Sequence, residues 1–171
     1  WEQRKLKQLT NSVYQGVNTA ADKVKYSDSG VPILQAKHIT DGSLNFNNTK
    51  FLNEKVYESY FPKYAPKKGD ILFANIGTIG PSVLVNSSKN FLIAWNILKL
   101  SVENKVYAKF VQYQMVRLNE KHYFSKIVTG NATKFINKND LLNVQIEIPL
   151  LREQKETAKI LIIIDKLIAS N

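Results

Sequence analysis

Few side chains in this sequence could support catalysis. Hydrolytic or transfer chemistry needs a nucleophile with a base, a metal cluster, a carboxylate pair or a cofactor loop. The two histidines, His38 and His122, show no spacing typical of a zinc site or of a nucleophile with its base. The chain has no cysteine, which excludes thiolate zinc sites and a disulfide framework. We therefore predict no metal site and no cofactor.

One catalytic alternative stays open on the residues alone. Asp140, followed by Glu153 and Lys155 as E-x-K, matches the spacing of Mg²⁺-dependent nucleases, in which two carboxylates hold the metal and the lysine supports the attacking water. Such a site requires E-x-K on a rigid strand, whereas here it follows Pro149 in a predicted helix start. The pattern favours a chance match over a nuclease.

Basic and hydrogen-bonding side chains gather in predicted loops, where they could bind nucleic acid. Asn and Gln can pair with adenine, Lys with guanine and Thr with several base edges, while lysines neutralise phosphates. The candidates are Lys37, His38, Asn75, Thr78, Lys126, Thr129, Asn131, Thr133, Lys134, Asn137 and Lys138. The alternative interpretation is the solvated surface of a protein rich in Lys and Asn.

The charge balance points to a polyanionic partner. Lys and Arg total 24 against 14 Asp and Glu, giving a net charge of +10. A strongly basic balance favours nucleic acid as the partner. A biased coding sequence would also raise Lys and Asn, so a protein-interaction module with no DNA role is a second alternative.

The apolar runs and the N-terminus indicate where the protein resides, and the chain ends indicate how much of it this sequence covers. No apolar run approaches the roughly 18 residues that span a bilayer, and the N-terminus does not have the pattern of a signal peptide. We expect a cytoplasmic protein without a membrane partner. The chain begins with Trp1 and stops at "DKLIASN" while a helical pattern is still running, which predicts a piece of a longer polypeptide.

Strand patterns predict a β-rich, mixed α/β fold. Residues 1–30 are polar and are expected to be peripheral. Single strands are predicted over 31–39, 70–75 and 91–102, with a hairpin turn at Thr40–Gly42. The run "GTIG" at 77–80 lacks the spacing of phosphate-binding loops, and we interpret it as a tight turn.

Helical periodicity appears in three places. The predicted helices cover 53–61, 104–120 and the chain from Pro149 onward. Asn53 and Asn104 are the expected caps, and Pro62 is expected to end the first helix. The last helix is too apolar to stand alone, so it must pack on its own domain or on a partner helix.

Four stretches resemble the target-recognition domain of type I restriction-modification specificity subunits. They are "WEQRKL", "VPILQAKHITDG", "KKGDILFANIGTIG" and "GNATKFINKNDLLNVQIEIPLLREQKETAKILIIIDKLI". The positions that match the family's closing pattern are Pro149, Glu153, Gln154, Leu161, Asp165 and Ile168. Two departures are Lys37, where the family commonly has arginine, and Leu150 or Leu151, where it has a second proline.

The resemblance implies a recognition domain over 1–148 and the start of a conserved spacer helix over 149–171. It implies binding of one half of a bipartite double-stranded DNA target, with no catalysis in this chain. The implied partners are the modification (methyltransferase) and restriction subunits, and a second recognition domain joined through the spacer helices. The implied helix interface consists of Leu161, Ile164, Leu167 and Ile168.

Overall fold

A computed structural model describes residues 1–170, and it confirms the predicted mixed α/β class. The strands are β1 (Glu2–Lys5), β2 (Thr10–Gln15), β3 (Val31–Leu34), β4 (Ile39–Thr40), β5 (Ser43–Leu44), β6 (Lys50–Leu52), β7 (Ile71–Ile76), β8 (Thr78–Leu84), β9 (Leu92–Ile93), β10 (Ile97–Val102) and β11 (Gln145–Ile148). The helices are α1 (Glu54–Tyr64), α2 (Ala108–Glu120), α3 (Tyr123–Lys126), α4 (Lys138–Asn143) and α5 (Leu151–Ala169).

The central element is an antiparallel four-stranded sheet in the order β2-β10-β7-β8. Its inner strands are almost entirely apolar, with "ILFA" in β7 and "ILKL" in β10, because both faces of the sheet are covered. Phe73 and Leu98 pack with α2 residues on one face, whereas Leu72 and Ile97 pack with Leu34 on the other. The sheet therefore divides the interior into two apolar layers.

A buried lysine interrupts the apolar run of β10. Lys99 is only 6% exposed, and its ammonium donates to the carbonyls of Lys63 at 2.8 Å and Ala65 at 3.2 Å. Cations at the C-terminal end of a helix satisfy free carbonyls and the helix dipole. Lys99 thus ties the end of α1 to the central sheet.

A second, three-stranded sheet lies beside the first in the order β6-β3-β9. It shows that the predicted single strands over 31–39 and 91–102 are wrong. The first breaks at a 3₁₀ turn over Ala36–His38, and the second breaks between β9 and β10, where the chain passes from one sheet to the other. The two breaks support each other, because the Ala36 amide donates to Asn96 Oδ1 at 3.0 Å.

The prediction that residues 1–30 are peripheral is wrong for 1–17, whereas none of residues 18–30 is buried. β1 pairs with β11, and β2 is an edge strand of the central sheet. Leu6 and Leu9 between them are almost fully buried. The sequence conceals these two strands because their own side chains are exposed or only partly buried, so they show no apolar run.

The three predicted helices are present, but the predicted end of α1 and the predicted start of α2 are wrong. Asn53 caps α1 as predicted, accepting from the Val56 amide at 2.9 Å, but the helix continues through Pro62. A proline in the last turn removes only one backbone bond, so the helix tolerates it there. Asn104 is not the cap of α2, because that helix begins after Tyr107.

Helix α5 starts directly after β11. Leu150 donates its amide to Glu153 Oε2 at 3.3 Å, which satisfies one of the free amides at the helix start. Gln154 is buried, accepting from the Tyr107 amide and donating to the Pro149 carbonyl, each at 2.9 Å. Ala158 is also buried, so the first half of α5 packs on the domain. The division into 1–148 and 149–171 stays a prediction.

Candidate nucleic-acid interface

Several separate segments meet at one end of the central sheet. β2 and β7 finish there, and β8 and β10 begin there. The backbone N–H of Asn75 donates to the backbone carbonyl of Asn96 at 3.2 Å, and the backbone N–H of Ile136 donates to the backbone carbonyl of Asn75 at 2.9 Å. The Gly77 amide approaches the Lys134 carbonyl at 3.4 Å. We call the exposed residues of this end, Lys37, Thr78, Trp95, Asn131, Thr133 and Lys134, the basic sheet end.

The loop around Gly130 is a closed hairpin. Thr129 and Phe135 exchange two backbone hydrogen bonds, of 2.9 and 3.0 Å. Gly130 has a φ of +91°, and a Cβ there would lie 2.2 Å from the Thr133 carbonyl oxygen, so only glycine fits. The hairpin turns the side chains of 131–134 into solvent, where all four residues are exposed.

Asn75 was predicted to contact bases, but the structure buries it. The residue is 1% exposed. Its side-chain Nδ2 donates to the Ile136 carbonyl at 3.0 Å, and its side-chain Oδ1 accepts from Gln15 Nε2 at 3.0 Å. These bonds hold the Gly130 loop on the sheet, and the buried side chain cannot contact a duplex. Asn75 is a positioning residue.

His38 is a second predicted contact that lies in the interior. It is 4% exposed, and its Nδ1 accepts from the Gln35 amide at 2.9 Å. Burial lowers the pKa of His38, the adjacent Lys37 charge lowers it further, and the Asn48 backbone raises it. A neutral, enclosed imidazole stabilises the 3₁₀ turn instead of offering a group to DNA.

Lys37 and Thr78 occupy the same end of the sheet and are exposed. Lys37 follows Ala36, whose amide is held by Asn96. Thr78 follows Gly77, which has a φ of +77°, a conformation that glycine adopts without strain. The structure has a β7–β8 hairpin here, but its turn is at Gly77 and not over the predicted range 77–80, because Thr78 to Gly80 already belong to β8.

The remaining candidates flank the basic sheet end. Lys126 ends α3 and Thr129 opens the loop, and both are exposed. Asn137 caps α4, accepting from the Asp140 amide at 2.9 Å. Lys138, the first residue of α4, is exposed and lines a shallow cleft with Lys7. Lys138 therefore lies beside the first half of β2, so the positive surface continues from the sheet end along that strand.

The charge of this region is of one sign. The segments 15–17, 35–38, 75–78, 94–97 and 126–139 contain no aspartate or glutamate, and two of them, 35–38 and 126–139, contain lysines. The first carboxylate after them, Asp140, is bonded to Asn137. A positive surface that carries threonine and asparagine can neutralise phosphates and hydrogen-bond to base edges.

The nuclease constellation is not assembled. Glu153 and Lys155 lie in α5, and Asp140 lies in α4, so E-x-K is not on the strand that such a site requires. Glu153 accepts from the Leu150 amide. Among residues 1–170, no group of three or more His, Asp or Glu side chains could hold a metal ion.

Trp95 is the exposed residue of this region that the sequence did not reveal. It is 48% exposed and lies in the turn between β9 and β10. The run 91–102 was predicted as one buried strand, which placed the indole in the core. The available signal was the polar Asn96 inside an otherwise apolar run.

The second half of α5 presents a different, apolar surface. Of the predicted interface residues, Leu161 is half-buried, whereas Ile164, Leu167 and Ile168 are 43%, 59% and 69% exposed. Ile160 and Ile163 are exposed as well. Within residues 1–170, none of the helices, α5 included, combines the length and hydropathy needed to cross a bilayer.

Comparison with known proteins gives a consistent result. The family described as type I restriction modification DNA specificity domain matches residues 1–171. The type I restriction enzyme MjaVIII specificity subunit of Methanocaldococcus jannaschii is 28% identical over 177 residues, covering 98% of this chain and 40% of that protein. The EcoBI specificity subunit of Escherichia coli is 23% identical over 165 residues, 93% of this chain and 34% of that protein.

The fold is similar to that of a solved specificity subunit. The crystal structure of the HsdS subunit from Thermoanaerobacter tengcongensis aligns with a TM-score of 0.72 at 20% identity, over 99% of this chain and 38% of that one. This chain therefore spans at most about two fifths of the length of these relatives.

Proposed function

Because the chain belongs to the family of type I restriction-modification DNA specificity domains, we propose that it binds double-stranded DNA and reads one half of a bipartite target. The observation that carries the proposal is the basic sheet end, where exposed lysines, threonines and an asparagine converge without a carboxylate. Phosphate contacts position a protein on a duplex, and contacts to base edges specify the sequence.

The proposed roles divide by residue type. Lys37, Lys126, Lys134 and Lys138 neutralise phosphates, and Thr78, Thr129, Asn131 and Thr133 contact base edges in the major groove. His38 and Asn75 are left out of this set because both are buried. The fixed hairpin around Gly130 lowers the entropy lost when its side chains are ordered on DNA.

The proposed setting is a larger enzyme in the cytoplasm. In it this chain is non-catalytic, and modification and restriction subunits perform methylation and cleavage at the site that it recognises. Residues 149–171 begin a spacer helix, whose Leu161, Ile164, Leu167 and Ile168 contact the helix of a second recognition domain. Two linked recognition domains gain avidity that one lacks.

The test compares variants of the Gly130 loop. A duplex is first selected with the parent chain from a randomised pool, and anisotropy titrations then compare it with a scrambled duplex at two salt concentrations. Lys134→Ala is expected to weaken binding to both duplexes and to reduce the slope of log K against log salt by about 0.9, the value for one lost phosphate contact. Asn131→Ala is expected to reduce the preference for the selected duplex, by on the order of 1–3 kcal/mol.

The matched control is Lys105→Ala. It removes the same charge, but Lys105 follows the opposite end of β10 and lies 3.8 Å from Glu103, so binding should stay close to the parent value. Equal effects of Lys105→Ala and Lys134→Ala would contradict the assignment of the loop. Failure of the parent chain to bind any duplex at low salt would favour the protein-interaction alternative.

A further inference from the structure

Trp95 is held in an unusually fixed turn for an exposed aromatic residue. Its amide donates to the Val17 carbonyl at 2.9 Å, and the preceding Ala94 amide donates to the Leu34 carbonyl at 2.8 Å. Gln15 Nε2 donates to the Trp95 carbonyl. The turn is therefore bound on one side by the continuation of β2 and on the other by the end of β3.

Close backbone packing fixes the turn further. A Cβ on Gly16 would lie 2.1 Å from the Ala94 carbonyl oxygen, so the chain segment after β2 can run against the turn only because residue 16 is glycine. A rigid backbone lowers the entropic cost of binding, because only the side chain remains to be ordered. This arrangement is typical of a contact residue and not of a loose surface loop.

The indole remains half-exposed although the turn is enclosed. Trp95 is 48% exposed, while its neighbours Ala94 and Ile97 are 6% and 0% exposed. A single exposed apolar side chain is ordinary in a folded protein. The Trp95 indole differs from such a side chain because it lies at the same end of the sheet as Lys37, Thr78 and Lys134.

The positive charge around Trp95 indicates which kind of partner this surface binds. The Asn96 side chain joins the Trp95 turn to the segment carrying Lys37, and the Asn96 carbonyl joins it to the strand that leads to Thr78. The segments that form this end contain no carboxylate. A polyanion therefore fits this surface better than a protein of mixed charge.

We propose that Trp95 is a further DNA-contacting residue, whose indole provides an apolar surface for the C5-methyl group of a thymine in the target. The inference rests on the proposed DNA-binding function and extends it from polar to apolar readout. Thymine alone among the four bases presents a methyl group in the major groove, and apolar side chains recognise it. The methyl groups of Thr78 and Thr133 can make the same kind of contact, but among the exposed residues of the basic sheet end the Trp95 indole offers the largest apolar surface for it.

Fluorescence tests whether the indole meets the duplex. The chain has two tryptophans, so the Trp1→Phe variant reports Trp95 alone, and the Trp95→Phe variant reports Trp1, which packs on Phe110. On titration with the selected duplex, we expect Trp95 emission to change and its quenching by acrylamide to fall. Trp1 serves as the control and should show neither effect.

Affinity measurements test what the indole contacts. Trp95→Ala should weaken binding of the selected duplex roughly tenfold, with partial recovery in Trp95→Phe and an unchanged melting temperature. Replacing the contacted thymine by deoxyuridine should weaken the parent about fourfold, the equivalent of one buried methyl group, and should have no effect on Trp95→Ala.

The outcomes separate this inference from the proposed function. If Lys134→Ala weakens binding but Trp95 stays accessible to acrylamide in the complex, the inference fails and the function stands. If every deoxyuridine replacement leaves affinity unchanged, the thymine assignment is overturned. If the parent chain binds no duplex, both fail. A loss of binding to a protein partner by Trp95→Ala, with DNA binding intact, would also overturn the inference.

Discussion

His38 is an interior histidine whose protonation opposes the native structure. Its Nδ1 accepts from the Gln35 amide, so the neutral ring carries its proton on Nε2, and a second proton on Nδ1 would break that bond. Burial, with the charge of Lys37, lowers the pKa of His38 below 6.5. As the pH falls through about 6.5, the unfolded chain binds a proton that the folded chain does not. Stability therefore falls until the folded pKa is reached.

His38→Asn is expected to flatten this pH dependence. The Asn side-chain oxygen can accept the Gln35 amide in place of Nδ1, while the titrating group is removed. The variant should be less stable than the parent at about pH 7.5, because the ring volume is lost, but should lose less stability on going to about pH 5.5. Urea unfolding at both pH values measures the difference.

The second histidine is the control for this experiment. His122 is exposed and has a φ of +54°, a conformation that asparagine tolerates. His122→Asn therefore makes the same substitution at an exposed histidine, and its pH dependence is compared with that of His38→Asn. A parent-like loss of stability in His38→Asn would show that other groups cause the acid sensitivity.

The sequence predicts the residue types of the candidate site but not their exposure. Asn75 and Asn131 are the same residue, yet one is buried and the other is exposed. The difference arises because Asn75 donates to Ile136, which lies 61 positions away. Contacts between such distant segments leave no local pattern, so lysines and threonines in the loop could be predicted while the two enclosed candidates could not.

At the scale of elements, α2 and α5 are joined by a hydrogen bond between side chains. Tyr113 donates its hydroxyl to Asp165 Oδ2 at 2.5 Å, and the Lys109 ammonium lies 4.2 Å from the centre of the Tyr113 ring. Burial, followed by the bond and charge of Asp165, raises the pKa of Tyr113. The contact comes well after Gln154 and Ala158, so it extends the attachment of α5 by about two turns.

Tyr113→Phe is expected to loosen the second half of α5. The ring is kept and only the bond to Asp165 is lost, at a cost of about 1 kcal/mol, since the pair is partly solvated. Hydrogen exchange of the amides over 161–169 should accelerate by a factor consistent with that loss, while the first half of α5 stays protected.

Tyr60→Phe is the matched control. Tyr60 donates to Asp22 at 3.0 Å, so the variant loses a bond of the same chemistry in another part of the chain. It should leave exchange over 161–169 unchanged. If Tyr113→Phe exchanges like the parent there, the second half of α5 is held by apolar contacts alone.

The elements were predicted best where a strong period runs to a clear end. Helices α1, α2 and α5 show such periods, and their errors are confined to the ends. The strands were predicted poorly at both breaks, near Ala36 and Ala94. Apolar composition changes little when a strand leaves one buried sheet and enters another, so the local signal for the transfer is as small as the single polar residue Asn96 in the second run.

On the scale of the whole molecule, the basic and apolar surfaces lie on different elements. The apolar surface of α5 points away from its own domain. Ala158 is buried, and Ile160, Ile164 and Leu167 follow it at steps that, with about 100° per residue, turn them roughly 180–240° around the helix. These residues are exposed. The helix thus has one side for its own domain and another for a partner helix.

Replacing Ile160 and Ile164 together by Glu is expected to abolish association through this surface. Both side chains are 43–60% exposed, so the free energy of unfolding should change by only about 0.5 kcal/mol per site. Association should weaken by at least about a hundredfold, because two apolar side chains lose their burial, so the variant should be monomeric over the range measured. Sedimentation velocity of the chain over a wide concentration range, alone and with a second recognition domain that carries its own helix, measures the effect.

The control separates apolar contact from charge. Each Ile→Glu change lowers the net charge by one, and Lys155→Ala lowers it by the same amount. Lys155 is exposed, and it lies nearer to the side of α5 that packs on the domain. Lys155→Ala combined with Lys159→Ala should therefore associate like the parent, whereas the double Glu variant should be monomeric. A parent chain that stays monomeric in both settings would contradict the role of α5 as the connection between recognition domains. That result would leave DNA binding by the basic sheet end untouched, because the two surfaces lie on different elements.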